Sequence, residues 1–196
     1  MTGLLRTEAV QILAAARGAA LTVVTMRALP PWNALGQADT RNFNNTGCMG
    51  SAASVGLGLA LARPSDQVIV VDGDGSLLMQ LGSLVTISGC RPANLVHVVM
   101  ENGVYETSGG QDLPGHGRGD LMQLALAAGY RSAVRFDAAA PLREGIAAVL
   151  ERPGPTFVSL VISGPGADEP PGHPAPPAKA VQIEQLRAGF AEQVLT

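Results

Sequence analysis

Short apolar runs alternate with segments of helical periodicity along most of this chain. The strongest runs are 68–71 and 95–100, with further runs at 20–25, 132–136 and 155–162. Apolar residues recur at helical spacing between the runs, which predicts helices at 4–16, 51–62, 77–88, 120–129 and 141–151. Strands that alternate with helices pair in parallel, so the pattern predicts an α/β fold. We expect a single three-layer domain with a doubly wound parallel sheet over residues 1–162.

Proline changes this pattern in two places. Residues 27–34 contain two adjacent prolines and are predicted to form a loop, because proline lacks the amide hydrogen that a helix interior needs. Residues 163–178 contain six prolines and are predicted to form an extended arm. An amphipathic helix is predicted at 181–194, with one apolar face made of Ile183, Leu186, Phe190 and Val194. Residues 163–196 are thus expected to form an arm and helix outside the main domain.

Composition excludes several classes of protein. The net charge is −3 and the only lysine is Lys179, which argues against nucleic-acid binding, since phosphate backbones require clustered lysine and arginine. Cys48 and Cys90 form neither a disulfide framework nor a metal-binding pair. The first residues lack a signal-peptide pattern, and no apolar run reaches the ~18–20 residues that span a bilayer. A cytoplasmic protein is therefore expected. Charged residues are only 15% of the chain, which fits either a large partner interface or simply an Ala/Val/Leu-rich composition.

Polar side chains follow the two strongest apolar runs. Asp-Gly-Asp-Gly-Ser occupies residues 72–76, and Glu-Asn-Gly-Val-Tyr occupies residues 101–105. Parallel strands bring such segments to one edge of the sheet, where open α/β folds bind ligands. Asp74 and Asn102 offer the oxygen donors that Mg²⁺ prefers.

The residues around Asp74 suit an anionic ligand. Gly73 and Gly75 allow the backbone to approach a ligand closely. Ser76 is predicted to open the next helix, whose first amides would point at an anion. The pattern therefore predicts a metal-diphosphate site, and its alternative is a pair of ordinary turns at the ends of two buried strands.

The same residues carry a family resemblance. Gly73-Asp74-Gly75, with Asn102 placed 28 positions after Asp74, resembles the cofactor signature of thiamine diphosphate-dependent enzymes. Glu101 departs from the paired asparagines of that signature. The resemblance implies that Asp74 and Asn102 bind Mg²⁺ through their side chains and Val104 through its backbone carbonyl. The cofactor-binding residues that it implies are Gly47, Cys48, Met49, Gly73, Asp74, Gly75, Ser76, Asn102, Val104 and Tyr105.

A second motif, Gly47-Cys48-Met49-Gly50, resembles the family's Gly-Ser-apolar-Gly loop, with cysteine in place of serine. By that likeness, Gly47 presents its carbonyl to the exocyclic amine of the cofactor. Met49 would lie beneath the bent cofactor and force its two rings together, a catalytic role. Without the resemblance, Met49 is typical of a core residue, since methionine commonly fills gaps.

The glycine-rich segment after Tyr105 is predicted to form a lid over the site. In the family, residues just beyond the Asn motif reach the reactive carbon, so Thr107 and Ser108 are the candidate catalytic residues on the substrate side. Several relatives have an acidic residue near Ser108. Its absence here leaves the proton donor open, with His116 as a weak alternative.

The resemblance also implies a reaction and a partner. Thiamine diphosphate enzymes need a second domain, which supplies a glutamate to the aminopyrimidine ring. The likeness is to the sulfopyruvate decarboxylase β subunit and to phosphonopyruvate decarboxylase, so we expect the diphosphate-binding subunit of a 2-oxo acid decarboxylase. The partner subunit would form a hetero-oligomer, α2β2 or larger. A carboligase of the acetolactate synthase type would use the same parts.

Two functions from other classes stay open at this stage. Asp72 and Asp74 also fit the nucleophile loop of haloacid-dehalogenase-type phosphatases. That mechanism needs a lysine near the developing charge, whereas Lys179 lies at the proline-rich arm. The other alternative is a non-catalytic scaffold subunit.

Overall fold

The computed structural model describes residues 3–36, 40–164 and 179–194. The helices are α1 (Arg6–Ala16), α2 (Leu29–Ala34), α3 (Ala52–Ala62), α4 (Asp74–Met79), α5 (Ser83–Cys90), α6 (Leu121–Ala128), α7 (Ala139–Leu150) and α8 (Lys179–Val194). The strands are β1 (Leu21–Thr25), β2 (Asn42–Asn45), β3 (Val68–Gly73), β4 (Leu95–Glu101), β5 (Val104–Tyr105), β6 (Gln111–Asp112), β7 (Ser132–Phe136) and β8 (Thr156–Val161). Two 3₁₀ turns, Met26–Ala28 and Glu106–Ser108, complete the described elements.

The main sheet confirms the predicted fold class. Within the described residues it has the strand order β2-β1-β3-β4-β8-β7, and every neighbouring pair is parallel. The chain steps from β1 outward to β2 and then returns to the other side of β1 with β3. The strand order thus reverses between β1 and β3, which makes their carboxyl ends the switch point where open α/β sheets bind ligands.

Helices cover both faces of this sheet. One core joins α1, α2 and α7 to the sheet, with Leu13, Trp32 and Ile146 among its fully buried side chains. The other core joins α3, α5 and α6 to the opposite face, with Leu84 and Ile87 at its centre. The central strands face helices on both sides, which explains why β3 and β4 are continuous apolar runs rather than alternating ones. In the described parts of the chain, no helix combines the length and the apolar character needed to cross a bilayer.

One local prediction before residue 50 is wrong, and one strand there was not predicted. Residues 27–34 are not a loop, because Pro30 and Pro31 lie in the first turn of α2. The amides that proline lacks have no acceptor within the helix at that position, so the prolines cost the helix nothing there. The segment Asn42–Asn45 forms the edge strand β2, which its asparagine-rich composition does not indicate.

The predicted helix 77–88 is two helices. Helix α4 begins at Asp74 and ends at Met79, and α5 begins at Ser83. Gln80 leaves helical geometry (φ −139°, ψ 46°), and the connection turns through hydrogen bonds three residues apart, such as Ser83 N to Gln80 O at 2.9 Å. Ser76 is therefore the third residue of α4 and does not open it.

The last helix is confirmed, but its predicted face is wrong in part. In α8, Leu186 is buried, whereas Ile183 is 42% exposed. Helix α8 contacts β2, and the buried Gln182 accepts a hydrogen bond from Asn44 N at 2.7 Å, so an amide side chain faces inward to satisfy the edge strand. The side chain of Val194 and residues 165–178 of the predicted arm lie outside the described part.

Two glycines in α3 provide a matched test of the packing between this helix and the sheet. A Cβ on Gly56 would overlap Cγ2 of the fully buried Val70, whereas a Cβ on the exposed Gly58 meets no atom within 4 Å. We expect Gly56→Ala to lower the free energy of unfolding by about 1–3 kcal/mol through overpacking. Gly58→Ala should raise it by about 0.5–1 kcal/mol through helix propensity. Urea unfolding of both variants measures this, and equal shifts would contradict the packing described here.

Candidate functional site

A cleft opens at the carboxyl ends of β1, β3 and β4, at the switch point of the sheet. Nine of the residues predicted from the sequence line it, and they come from three separate segments of the chain. These are Met49, Gly73, Asp74, Gly75, Ser76, Asn102, Val104, Tyr105 and Thr107. Gly73 pairs in register with Met100, which brings the polar segments that follow β3 and β4 to neighbouring positions. The predicted convergence of the two segments at one site is confirmed.

Asp74 is held by backbone donors in a nearly closed position. Its side chain accepts hydrogen bonds from Gly75 N and from Gly103 N, each at 2.8 Å, and the residue is 5% exposed. Burial raises the pKa of Asp74 from 3.8 to about 6, against the lowering effect of these backbone hydrogen bonds. A carboxylate in such a position gains from a bound cation, which would offset the cost of its burial.

Asn102 lies in the turn after β4. Its Oδ1 atom accepts a hydrogen bond from Val104 N at 3.1 Å, and its Nδ2 atom donates to Glu106 Oε2 at 2.8 Å. The first bond closes an Asx turn, the local structure that asparagine favours. This turn places Val104 in the cleft lining beside Asp74.

The segment 47–50 is tied to the Asp74 loop. Gly50 adopts φ +85° and donates its amide hydrogen to Ser76 Oγ at 2.9 Å, and a Cβ at Gly50 would approach Gln80 Cβ to 2.9 Å. Gly47 and Cys48 are exposed and do not line the cleft, whereas the half-buried Met49 does. The loop therefore presents one side chain to the cleft and two residues to solvent.

The segment predicted to form a lid begins with regular structure. β5 and β6 form a short antiparallel hairpin in which Tyr105 pairs with Gln111. Thr107 lines the cleft at the tip of this hairpin. Ser108 is exposed outside the cleft lining and its hydroxyl bonds within the hairpin. His116 packs against Gly103 and does not line the cleft.

Three charged residues of the cleft were not predicted. Glu106 accepts hydrogen bonds from Arg27 Nε at 3.2 Å and from Arg6 Nη2 at 2.5 Å. Arg6 and Glu106 are 100 residues apart in sequence, so no local pattern links them. Arg27 had a usable signal, because it lies two residues beyond β1 at the switch point.

Backbone strain also marks this edge of the sheet. Met26, directly after β1, has φ +54° and lines the cleft. A residue other than glycine pays about 1–3 kcal/mol for such a conformation, and such residues cluster at functional sites. The unusual backbone conformation lies at the point where the chain leaves β1 and enters the 3₁₀ turn that carries Arg27.

A buried polar cluster lies beneath the cleft. Asp72 Oδ1 accepts from Gly73 N at 2.9 Å, and Asp72 Oδ2 lies 3.5 Å from His97 Nε2. The other ring nitrogen of His97 lies 3.1 Å from the hydroxyl of Tyr130, and burial raises the pKa of that hydroxyl. Asp72 and His97 are almost completely buried. His97 is a core residue.

The donors in the cleft fit a metal that also binds a ligand. Among residues 3–36, 40–164 and 179–194, no three His, Cys, Asp or Glu side chains cluster well enough to hold a metal alone. Asp74 and Asn102 provide oxygen atoms of the kind that Mg²⁺ binds, and Val104 can add its carbonyl oxygen. The remaining coordination positions suit oxygens from water and a diphosphate, because Mg²⁺ is commonly shared with substrate phosphates.

Comparison with known proteins agrees with this geometry. Residues 21–160 match the family model described as the thiamine pyrophosphate enzyme C-terminal TPP-binding domain. The chain is 46% identical over 134 residues to a phosphonopyruvate decarboxylase of Streptomyces viridochromogenes, an alignment covering 68% of this chain and 33% of that protein. It is 54% identical over 71 residues to the sulfopyruvate decarboxylase subunit beta of Methanocaldococcus jannaschii, covering 36% of this chain and 37% of that one.

Solved structures share the fold. A putative thiamin diphosphate-dependent enzyme from Mycobacterium smegmatis superposes with a TM-score of 0.69 at 21% identity, covering 83% of this chain and 32% of that one. The matches thus span about a third of the length of these relatives.

Membership in this family is incompatible with the phosphatase alternative. From the cleft, the sheet order and the match over residues 21–160, the chain belongs to the thiamine pyrophosphate enzymes as their C-terminal cofactor-binding domain.

Proposed function

We propose that this chain binds the diphosphate end of thiamine diphosphate with Mg²⁺ and serves as one subunit of a 2-oxo acid decarboxylase. The convergence of Asp74, Asn102 and Val104 in one cleft at the switch point carries the proposal. The similarity to phosphonopyruvate and sulfopyruvate decarboxylases supports the choice of reaction. When bound, the cofactor would supply a thiazolium ring that acts as an electron sink for loss of CO₂.

The metal ligands in this proposal are Asp74 Oδ, Asn102 Oδ1 and the Val104 carbonyl. Asp74 supplies the negative charge, and the first amides of α4 line the same edge. Gly73, Gly75 and Ser76 would contact the diphosphate through their backbone. Gly75 leaves no room for a side chain, because a Cβ there would lie 2.8 Å from the ring of Tyr105.

The remaining predicted residues have roles toward the cofactor rings and the substrate. Met49 would support the bent cofactor from the cleft wall, and Gly47 would offer its carbonyl to the aminopyrimidine. Cys48 is exposed beside them, where its backbone can meet the cofactor or a partner. Thr107 is the better placed of the two substrate-side candidates, because Ser108 lies outside the cleft lining.

A partner subunit completes the site in this proposal. It would provide the pyrimidine-binding domain and the glutamate that activates the cofactor, in an α2β2 or larger assembly. The printed name "subunit beta" of a relative supports a multi-subunit arrangement. The exposed loop at Gly47 and Cys48 is available for such contact. The same proposal places the complex in the cytoplasm.

The proposal is tested by CO₂ release from a panel of acids. The chain is co-purified with the partner subunit and supplied with thiamine diphosphate, Mg²⁺ and either sulfopyruvate, phosphonopyruvate or pyruvate. We expect release of one aldehyde per CO₂ from one of the two acids with an anionic head group. A carboligase would instead yield an acyloin or a 2-hydroxy-2-acyl acid. A complex that binds the cofactor but turns over no acid would indicate a scaffold subunit.

A further inference from the structure

Glu106 has an unusually complete set of partners for a residue in an open cleft. Its Oε2 atom accepts from Arg6 Nη2 at 2.5 Å and from Asn102 Nδ2 at 2.8 Å, and its Oε1 atom accepts from Arg27 Nε at 3.2 Å. The side chains of Arg6 and Glu106 are only 6% and 9% exposed. Three distant segments, α1, the 3₁₀ turn after β1 and the 3₁₀ turn after β5, thus meet at one carboxylate.

The hydrogen bonds of Asn102 have only one consistent arrangement. The amide of Val104 can only donate, so it must face Asn102 Oδ1. The carboxylate of Glu106 can only accept, so it must face Asn102 Nδ2. If the carboxamide rotated by 180°, two donors would meet at Val104 and two acceptors at Glu106. Val104 N and Glu106 therefore favour the same orientation of the Asn102 side chain, and Glu106 stabilises it from the Nδ2 side.

This orientation matters for a metal. An amide oxygen has a lone pair to give to a cation, whereas the NH₂ group presents hydrogens and repels it. Both carboxylate oxygens of Glu106 already accept hydrogen bonds from guanidinium groups. Arg6 and Arg27 thus hold the carboxylate against Asn102 rather than leaving it to bind the metal itself.

We infer that Glu106 is a positioning residue, held by Arg6 and Arg27, that keeps Asn102 Oδ1 turned toward the metal. The inference rests on the proposed function, because it takes Asn102 as a metal ligand. Residues that hydrogen-bond to a metal ligand change metal affinity by 10- to 100-fold in other metal sites.

The test is a Mn²⁺ titration of the full chain in the presence of thiamine diphosphate, with free Mn²⁺ followed by electron paramagnetic resonance. We expect Glu106→Met, which removes both acceptor oxygens and keeps a side chain of similar size, to raise the Mn²⁺ concentration at half-saturation about 10-fold or more. Glu184→Met is the matched control. It removes a carboxylate that pairs with Arg187 at 2.7 Å on the exposed face of α8, and it should leave the half-saturation unchanged.

A double-mutant cycle separates orientation from charge. Aspartate at position 102 has two equivalent oxygens and no amide to orient. In the Asn102→Asp background, Glu106→Met should therefore not weaken Mn²⁺ binding. A loss of the same size in both backgrounds would show that Glu106 acts through its charge alone, and this would overturn the inference. Unchanged binding in Glu106→Met alone would overturn it as well.

A second variant keeps the test valid if loss of Glu106 unfolds the chain, since Arg6 would remain buried without that carboxylate. Arg27→Gln removes one arm of the arrangement and leaves the Arg6–Glu106 pair in place. It should weaken Mn²⁺ binding in the Asn102 background and not in the Asn102→Asp background; equal effects would overturn the inference. A wild-type chain that binds no Mn²⁺ would contradict the proposed function first, whereas intact wild-type binding with no coupling contradicts only the role of Glu106.

Discussion

Replacing Asp74 by alanine is expected to weaken Mg²⁺-dependent binding of thiamine diphosphate by about 100-fold or more. Asp74 is the only carboxylate among the three proposed metal ligands, so its loss removes the charge that attracts the cation to a buried position. Loss of a metal ligand should lower the metal affinity more than loss of a residue that hydrogen-bonds to a ligand, which typically lowers it 10- to 100-fold. Isothermal titration calorimetry measures the affinity for thiamine diphosphate, once in Mg²⁺ and once in EDTA. Retained Mg²⁺-dependent affinity would refute the metal assignment.

Two controls show that such a loss is local. Asp137→Ala removes an exposed carboxylate between β7 and α7 and should leave cofactor affinity unchanged.

The second control uses pH, because burial raises the pKa of Asp74 to about 6. The folded protein therefore binds a proton more readily than the unfolded chain. Protonation of Asp74 therefore contributes about 3 kcal/mol to the free energy of unfolding below pH ~4. This contribution is lost as the pH rises through about 6.

Urea unfolding without metal at pH 4 and pH 7 should therefore show a smaller pH dependence in the Asp74→Ala variant than in the wild type. The comparison isolates Asp74, because the other carboxyl groups are common to both proteins. An equal pH dependence in the two proteins would contradict the buried position of this carboxylate. A variant that shows the reduced pH dependence and has lost cofactor binding has kept its fold and lost its site.

The second large effect concerns the chain without a partner. Purified alone and supplied with cofactor and Mg²⁺, it is expected to decarboxylate 2-oxo acids at least about 100-fold more slowly than with the proposed partner subunit. Three acidic side chains line the cleft within the described residues, namely Asp72, Asp74 and Glu106, and each accepts hydrogen bonds from within this chain. The acid that activates the aminopyrimidine is therefore expected from another domain.

Reconstitution provides the measurement. Adding the partner subunit should restore turnover, whereas a partner in which the activating glutamate is replaced by glutamine should restore cofactor binding but little turnover. Asp74→Ala combined with the intact partner should stay inactive. Rapid turnover by the isolated chain would show that the two-subunit proposal is wrong.

The sequence was most informative where function and secondary structure share one signal. Asp74 and Asn102 each follow a buried strand, and the position of a strand end is easily predicted from a continuous apolar run. Because parallel strands end at the same edge of the sheet, both residues could be placed at one edge without knowledge of tertiary contacts. The caps of α6 show the same agreement, since Asp120 accepts from Gln123 N and Gly129 ends the helix with φ +107°.

The sequence was least informative where tertiary context decides. β2 is made of Asn-Phe-Asn-Asn, and its asparagines are stabilised by contacts such as Thr22 Oγ1 to Asn42 Oδ1 at 2.7 Å. Such residues have low strand propensity, so the pattern gave no sign of a strand. The Arg6–Glu106 pair joins residues 100 positions apart, and only the folded sheet brings them together. Charged residues at long range were therefore missed although they complete the cleft.

The position of a bound metal ion would show whether Asp74, Asn102 and Val104 form one metal site. Crystals grown with thiamine diphosphate and Mn²⁺ in place of Mg²⁺ would give an anomalous difference signal at the ion. We expect one peak per chain within about 2.0–2.3 Å of Asp74 Oδ, Asn102 Oδ1 and the Val104 carbonyl oxygen. A cofactor bound with no peak among these three atoms, or with its diphosphate at another edge of the sheet, would contradict it.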